Sequence, residues 1–222
     1  RKPTAEMVKV TGDTYWSSNA HHDIQREGNP VGYDVPGMSY VKDGKTLIAG
    51  FKTIDGRDTA TLYIVDRAGN IVWEWIYRDH EEEYKARGIA DFQNTASWVG
   101  PNKWYESDPV RYAAFHPDNI IIDGRETNII LIISKKTGKI VWQVGPDYSK
   151  PEFKALGWII GQHHAHMIPH TLPGGGNILV FDNGGWGGYD VPNPGAPTGV
   201  KAALRDYSRV LEIDPVAMKI VW

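Results

Sequence analysis

Asn128-Ile129-Ile130-Leu131-Ile132-Ile133-Ser134-Lys135-Lys136-Thr137-Gly138-Lys139-Ile140-Val141-Trp142 is a β-branched run, a tight turn and a second short run closing on tryptophan. This is hairpin chemistry, because branched side chains suit a pleated surface and a Gly-containing polar cluster lets the chain reverse. The pattern occurs twice more, over Ala60 to Trp73 with the turn Asp66-Arg67-Ala68-Gly69-Asn70, and over Ser208 to Trp222 with the turn Asp214-Pro215-Val216-Ala217-Met218. A further short strand precedes each hairpin: Thr46-Leu47-Ile48-Ala49, Asn119-Ile120-Ile121-Ile122 and Asn177-Ile178-Leu179-Val180-Phe181. Before these lie three polar segments, His21-His22-Asp23-Ile24, Asn94-Thr95-Ala96-Ser97-Trp98 and Gln162-His163-His164-Ala165-His166.

Each unit therefore reads as four strands, the first unusually polar. A recurrence of roughly 70 to 80 residues fits propeller blades lengthened by loops. The expected fold is all-β, a β-propeller with three four-stranded blades at about residues 20–75, 92–144 and 160–222. In a blade the first strand lines a wet central channel, where polar groups far apart in sequence converge. Closed rings need about four to eight blades, so three leave two blade faces for another propeller segment or a second copy of the chain to cover. The expectation is of a piece incomplete at both ends.

Composition narrows the functional classes. The 222 residues can bury a sizeable core, and a net charge of −3 with scattered basic residues gives no nucleic-acid surface. Without cysteine there are no disulfides, no thiolate metal sites and no Cys nucleophile. No apolar run reaches the ~20 residues needed for membrane insertion, and Arg1-Lys2-Pro3 opens no signal-peptide core, so the expectation is either a cytoplasmic protein or a leader outside this sequence. The charged stretch Arg78 to Gly88 reads as a short solvated helix. The Gly- and Pro-rich stretch Asn183 to Gly199 reads as an ordered loop at the channel mouth, since Trp186 and Tyr189 would be wasted in a flexible linker.

The chemistry concentrates in Gly161-Gln162-His163-His164-Ala165-His166-Met167-Ile168-Pro169-His170, which holds half of the eight histidines. Imidazole changes charge near neutral pH and is a competent nucleophile, so such a cluster on a channel strand reads as a site. Strand alternation sends His163 and His164 to opposite faces and sets His166 opposite His163, in a packing or supporting role. By the same rule one of His21 and His22 faces the channel, and His22 is the choice.

The collinear segments HHDIQREGNPVGYDVPG, NTASWVGPNKWYE, FHPDNIIIDGRETNIILIISKKTGKIVWQVGPDY, GQHHAHMIPHTLPGGGNILVFDNGGWGGY and YSRVLEIDP resemble the bacterial aryl-sulfate sulfotransferase family. The resemblance implies a six-bladed propeller, export to the periplasm or cell exterior, and sulfuryl transfer from a phenolic sulfate ester to a phenol. It also implies a sulfo-histidine intermediate, no nucleotide sulfate donor and no cofactor. His163 matches the nucleophile, Arg125 the arginine aimed at the sulfate, and Asn94 the asparagine of a His-x-Asn motif. His22 joins His163 and Arg125 as catalytic, with His21, His164 and His116 beside Asn94 as substrate-binding residues. The chain departs from the family at Phe92, where a histidine is expected. Phenylalanine carries no proton, so activity should be impaired unless His116 supplies the imidazole. Two other classes remain open: a copper-type metal-dependent propeller oxidoreductase with His21, His22, His163, His164 and His166 as ligands, and a non-catalytic binding propeller. The Arg, Asn and His set suits an oxyanion better than a cation.

Overall fold

The structure, a computed structural model, describes residues 20–29, 31–34, 38–89, 94–187 and 203–222. It is an all-β propeller arc of three four-stranded antiparallel sheets. Blade one runs β1 (Ala20–Arg26), β2 (Thr46–Ile54), β3 (Arg57–Val65) and β4 (Ile71–Ile76), paired in that order. Blade two runs β5 (Thr95–Trp98), β6 (Ile120–Gly124), β7 (Ile129–Ile133) and β8 (Ile140–Val144), again in order. Blade three starts with β9 (His163–Met167) and β10 (Ile178–Asp182). A small ribbon, β11 (Gly185–Gly187) with β12 (Ala203–Leu204), interrupts it before β13 (Arg209–Asp214) and β14 (Lys219–Ile220) complete the sheet. The ribbon closes the ends of the Gly- and Pro-rich stretch, whose residues 188–199 lie outside the described residues. In the charged stretch, Tyr77–His80 forms a 3₁₀ turn and Glu81–Ala86 a short helix, laced by Lys85–Glu81 and Arg87–Glu83 ion pairs.

Burial explains why the strands read differently in sequence. All five residues of β7 are buried, because blade two is covered on both faces. Ile129, Leu131 and Ile133 pack toward blade one with Leu47, Leu62 and Ile64, while Ile130 and Ile132 pack toward blade three with Ile178, Val180 and Ile213. Among the described residues only one face of blade three is covered, so β10 and β13 alternate: Ile178, Val180, Leu211 and Ile213 are buried, and Phe181 and Val210 are each 42% exposed.

The repeated tryptophans latch neighbouring blades. Trp73 Nε1 donates to the Lys135 carbonyl at 3.1 Å, in the outer turn of blade two. Trp142 Nε1 donates to the Pro215 carbonyl at 3.0 Å, in the corresponding turn of blade three. Those turns need a left-handed residue, which Gly69 and Gly138 provide at φ 86° and 72° and Met218 adopts at 51° in the third copy.

Candidate functional site

The site forms at one end of the inner strands, where β9 enters its blade against the β6–β7 turn. Gly161 donates its N–H to Asn128 Oδ1 at 2.8 Å. The buried Gln162 side chain donates to the carbonyls of Gly124 at 3.1 Å and Ile129 at 2.7 Å. Glycine at φ 61° turns the chain and glutamine seats it on the adjacent blade, so His163 emerges beside the turn that carries Arg125.

His163 Nδ1 lies 3.0 Å from the Gly161 carbonyl and 2.6 Å from Asn183 Oδ1. A carbonyl only accepts, so Nδ1 carries the hydrogen and Nε2 keeps the lone pair. Asn183 is held by its neighbour Asp182, a fully buried carboxylate. Asp182 Oδ1 accepts the Ile160 and Gly184 amides at 2.9 and 3.3 Å. Its Oδ2 accepts Arg209 Nε at 2.8 Å and lies 2.9 Å from Arg205 Nη2.

Alternation breaks immediately after His163. His163 stands opposite Phe181 and His166 opposite Leu179, with two residues between the histidines and one between their partners, which defines a β-bulge. His164 takes φ 57° there and its side chain is exposed. Cross-strand partners point to one side of a sheet, so the bulge returns His166 to the side of His163, contrary to the regular alternation expected from the sequence. His166 is buried; burial pushes its pKa down to about 4 and leaves it neutral. Its Nδ1 is 2.9 Å from the His164 carbonyl and must donate, so Nε2 accepts the Tyr33 hydroxyl at 2.8 Å. Tyr33 comes from the segment after β1, which ties blade one to β9. The His164 and His166 rings meet edge to face at 4.8 Å.

Two carboxylates stand behind these residues. Asp123, on β6, has no exposed surface; burial raises its pKa to about 7 against the hydrogen bonds it accepts, with Asp23 adding to the rise. Asp23, on β1, is also raised, first by burial, with Gln25, His164 and the Ile24 and Ala96 amides acting in the opposite direction.

The other sequence candidates divide between this end of the channel and elsewhere. Arg125 directly follows Gly124 and pairs with Glu126 through Nη1 at 2.9 Å, with a third of its side chain exposed; its other donors take no partner among the described residues and suit an anion. Asn94 is buried; its N–H donates to the Asp123 carbonyl at 2.7 Å, and its Oδ1 has no partner among the described residues. His21 and His22 occupy β1, on the inner edge of blade one, with side chains outside the described set. Phe92 also lies outside the described residues. His116 is not brought to the cluster. It precedes β6 at the end of blade two away from Gly124, where its Nδ1 accepts the Asp118 amide at 3.1 Å and its ring packs on Tyr105. Among the described residues no three His, Cys, Asp or Glu side chains are placed to hold a metal ion.

Sequence reasoning did not single out Asn183, Asp182, Asp123, Asp23 or Tyr33 as site residues. Asp182-Asn183-Gly184 looks like a strand-ending turn, and Asp123 looks like the polar end of an apolar strand. Their signal is the aspartate itself, a residue depleted in strands, at the edge of a run buried enough to require partners.

A family model described as Arylsulfotransferase (ASST) matches residues 37–220. No curated protein and no solved structure matches the chain.

Proposed function

The chain belongs to the arylsulfotransferase family, and from that premise we propose that it moves a sulfuryl group from a phenolic sulfate ester to a second phenol through His163. The observation that carries this reading is the tautomer of His163. With Nδ1 donating to Gly161 and Asn183, Nε2 is the nucleophilic nitrogen, and the ring is oriented before substrate arrives.

Sulfuryl transfer requires an in-line nucleophile, donors for the non-bridging oxygens and a proton for the leaving oxygen. In the first step the Nε2–S bond forms as the S–O(aryl) bond breaks, and the departing phenolate takes up a proton. In the second, the acceptor phenol loses its proton, its oxygen attacks sulfur, and the N–S bond breaks to return neutral His163. Arg125, through the donors that Glu126 does not use, and Asn94 suit the sulfuryl oxygens, while His22 or His21 suits the proton transfers from β1. His164 is exposed beside the nucleophile and suits contact with the substrate. No nucleotide donor or cofactor enters this scheme. The same reading puts the enzyme in the periplasm or outside the cell, with a further propeller segment or a second copy covering the open blade faces.

The test is release of phenol from a chromogenic aryl sulfate, measured with and without a phenolic acceptor. The expected result is turnover that the acceptor accelerates and that His163→Gln abolishes. Unaltered turnover in the variant removes His163 from the role, and a folded wild-type protein without turnover favours the binding-propeller reading.

A further inference from the structure

Strands of separate sheets share no ladder, so other groups must fix the spacing of β1, β5 and β9 around the channel. One carboxyl group does this for β5 and β9. Asp123 of β6 accepts, through its single oxygen Oδ2, the Thr95 hydroxyl of β5 at 2.6 Å and the Ala165 amide of β9 at 2.8 Å. Ala165 directly follows the bulged His164, and neither has a register partner on β10. The bulge thus turns an amide away from its own blade, and the neighbouring blade satisfies it.

We propose that Asp123 is a positioning residue for the nucleophile strand: its side chain holds the His163–His164 bulge against blade two and so fixes where His163 Nε2 lies. The catalytic consequence rests on the role given to His163 above; the brace itself does not. A neutral backbone pair would hold the strand as well, so the choice of a carboxylate has a further effect. A charged acceptor makes the stronger hydrogen bond, but burial of Asp123 opposes the charge and outweighs that gain. With its pKa raised to about 7, Asp123 changes between the two forms near neutrality. The charged and titratable groups to weigh beside it are Asp23 on β1, then His163, His164 and His166 on β9, the strand packed against β6, and Arg125 with Glu126 at the end of its own hairpin. Asp182 on β10 is already matched by Arg205 and Arg209. The brace therefore loosens as pH rises through 7, when the charge forming on the buried group favours its release from the seam.

The experiment follows the Ala165 amide in the ¹⁵N-alanine-labelled protein by hydrogen exchange, alongside kcat and KM for an aryl sulfate. In the wild type, the protection of Ala165 relative to that of Ala49 should fall as pH rises between about 5 and 8. Asp123→Asn keeps an acceptor without a charge, so Ala165 should stay protected but lose that pH dependence. Asp123→Ala should lose about tenfold or more of the protection, and kcat should fall by a similar factor while KM changes less than threefold. Persistence of the pH dependence in Asp123→Asn overturns the proposal, even if Asp123→Ala fails to fold. Full protection of Ala165 in a folded Asp123→Ala protein overturns it as well. The exchange readout stands without turnover, so failure of the brace and failure of the sulfotransferase reading are separate results.

Discussion

His163 and His166 show how one side-chain type takes two roles from its surroundings. His163 is half-buried with its Nδ1 fixed by acceptors, and His166 is buried and held neutral between the His164 carbonyl and Tyr33. Asn183→Ala should therefore leave the fold intact and let the His163 ring turn, lowering kcat by about tenfold or more with little change in KM. Steady-state kinetics check this. The pKa of His166 is depressed to about 4 from 6.5, so its contribution to stability is complete above pH 6.5 and is lost as pH falls toward 4. That of Asp123 is raised from 3.8 to about 7, so its contribution is complete below pH 3.8 and is lost as pH rises through 7. The two slopes oppose each other between about pH 4 and 6.5. Melting temperatures should reveal each alone: His166→Gln should remove the loss on the acid side, and Asp123→Asn the loss toward pH 8.

At the scale of the strand, the bulge in β9 decides which side chains share a side. A non-glycine residue at φ 57° is strained, by roughly 1 kcal/mol or more. His164→Gly relieves this strain but removes the edge-to-face contact with His166 and frees the unfolded chain, so the net change in stability should stay within about 1 kcal/mol, read by denaturant titration. This bulge was not legible in the sequence. Gln162-His163-His164-Ala165-His166 alternates as well as any strand, and what bends it is Asp123, forty-two residues earlier, taking the Ala165 amide. The hairpins were legible, because Ile129 to Ile133 and the Gly138 turn are local signals that packing only reinforces. The inner strands were legible too, as polar segments with no solvent face to explain them. What escaped were groups whose meaning comes from a distant partner: Asn183 against His163 within blade three, and, between blades, Tyr33 against His166 and Asp123 against Ala165.

For the whole molecule, stability resides in the two seams between blades. Ile132 is fully buried in the seam between blades two and three, and Val210 lies on the open face of blade three. Ile132→Ala should cost about 2–5 kcal/mol, and Val210→Ala less than about 0.5 kcal/mol, by urea denaturation. The seam is also where the site is assembled, since Gln162 and Ala165 of blade three are seated by Gly124, Ile129 and Asp123 of blade two. Propeller, seam and site thus lead to one nitrogen. The direct measurement is mass analysis of the protein after brief exposure to an aryl sulfate without acceptor, quenched above neutral pH and digested to peptides. The account requires one added sulfuryl group, on His163, that disappears when a phenol is supplied and never forms in His163→Gln. A stable adduct on another residue, or full turnover with no adduct at all, would contradict it.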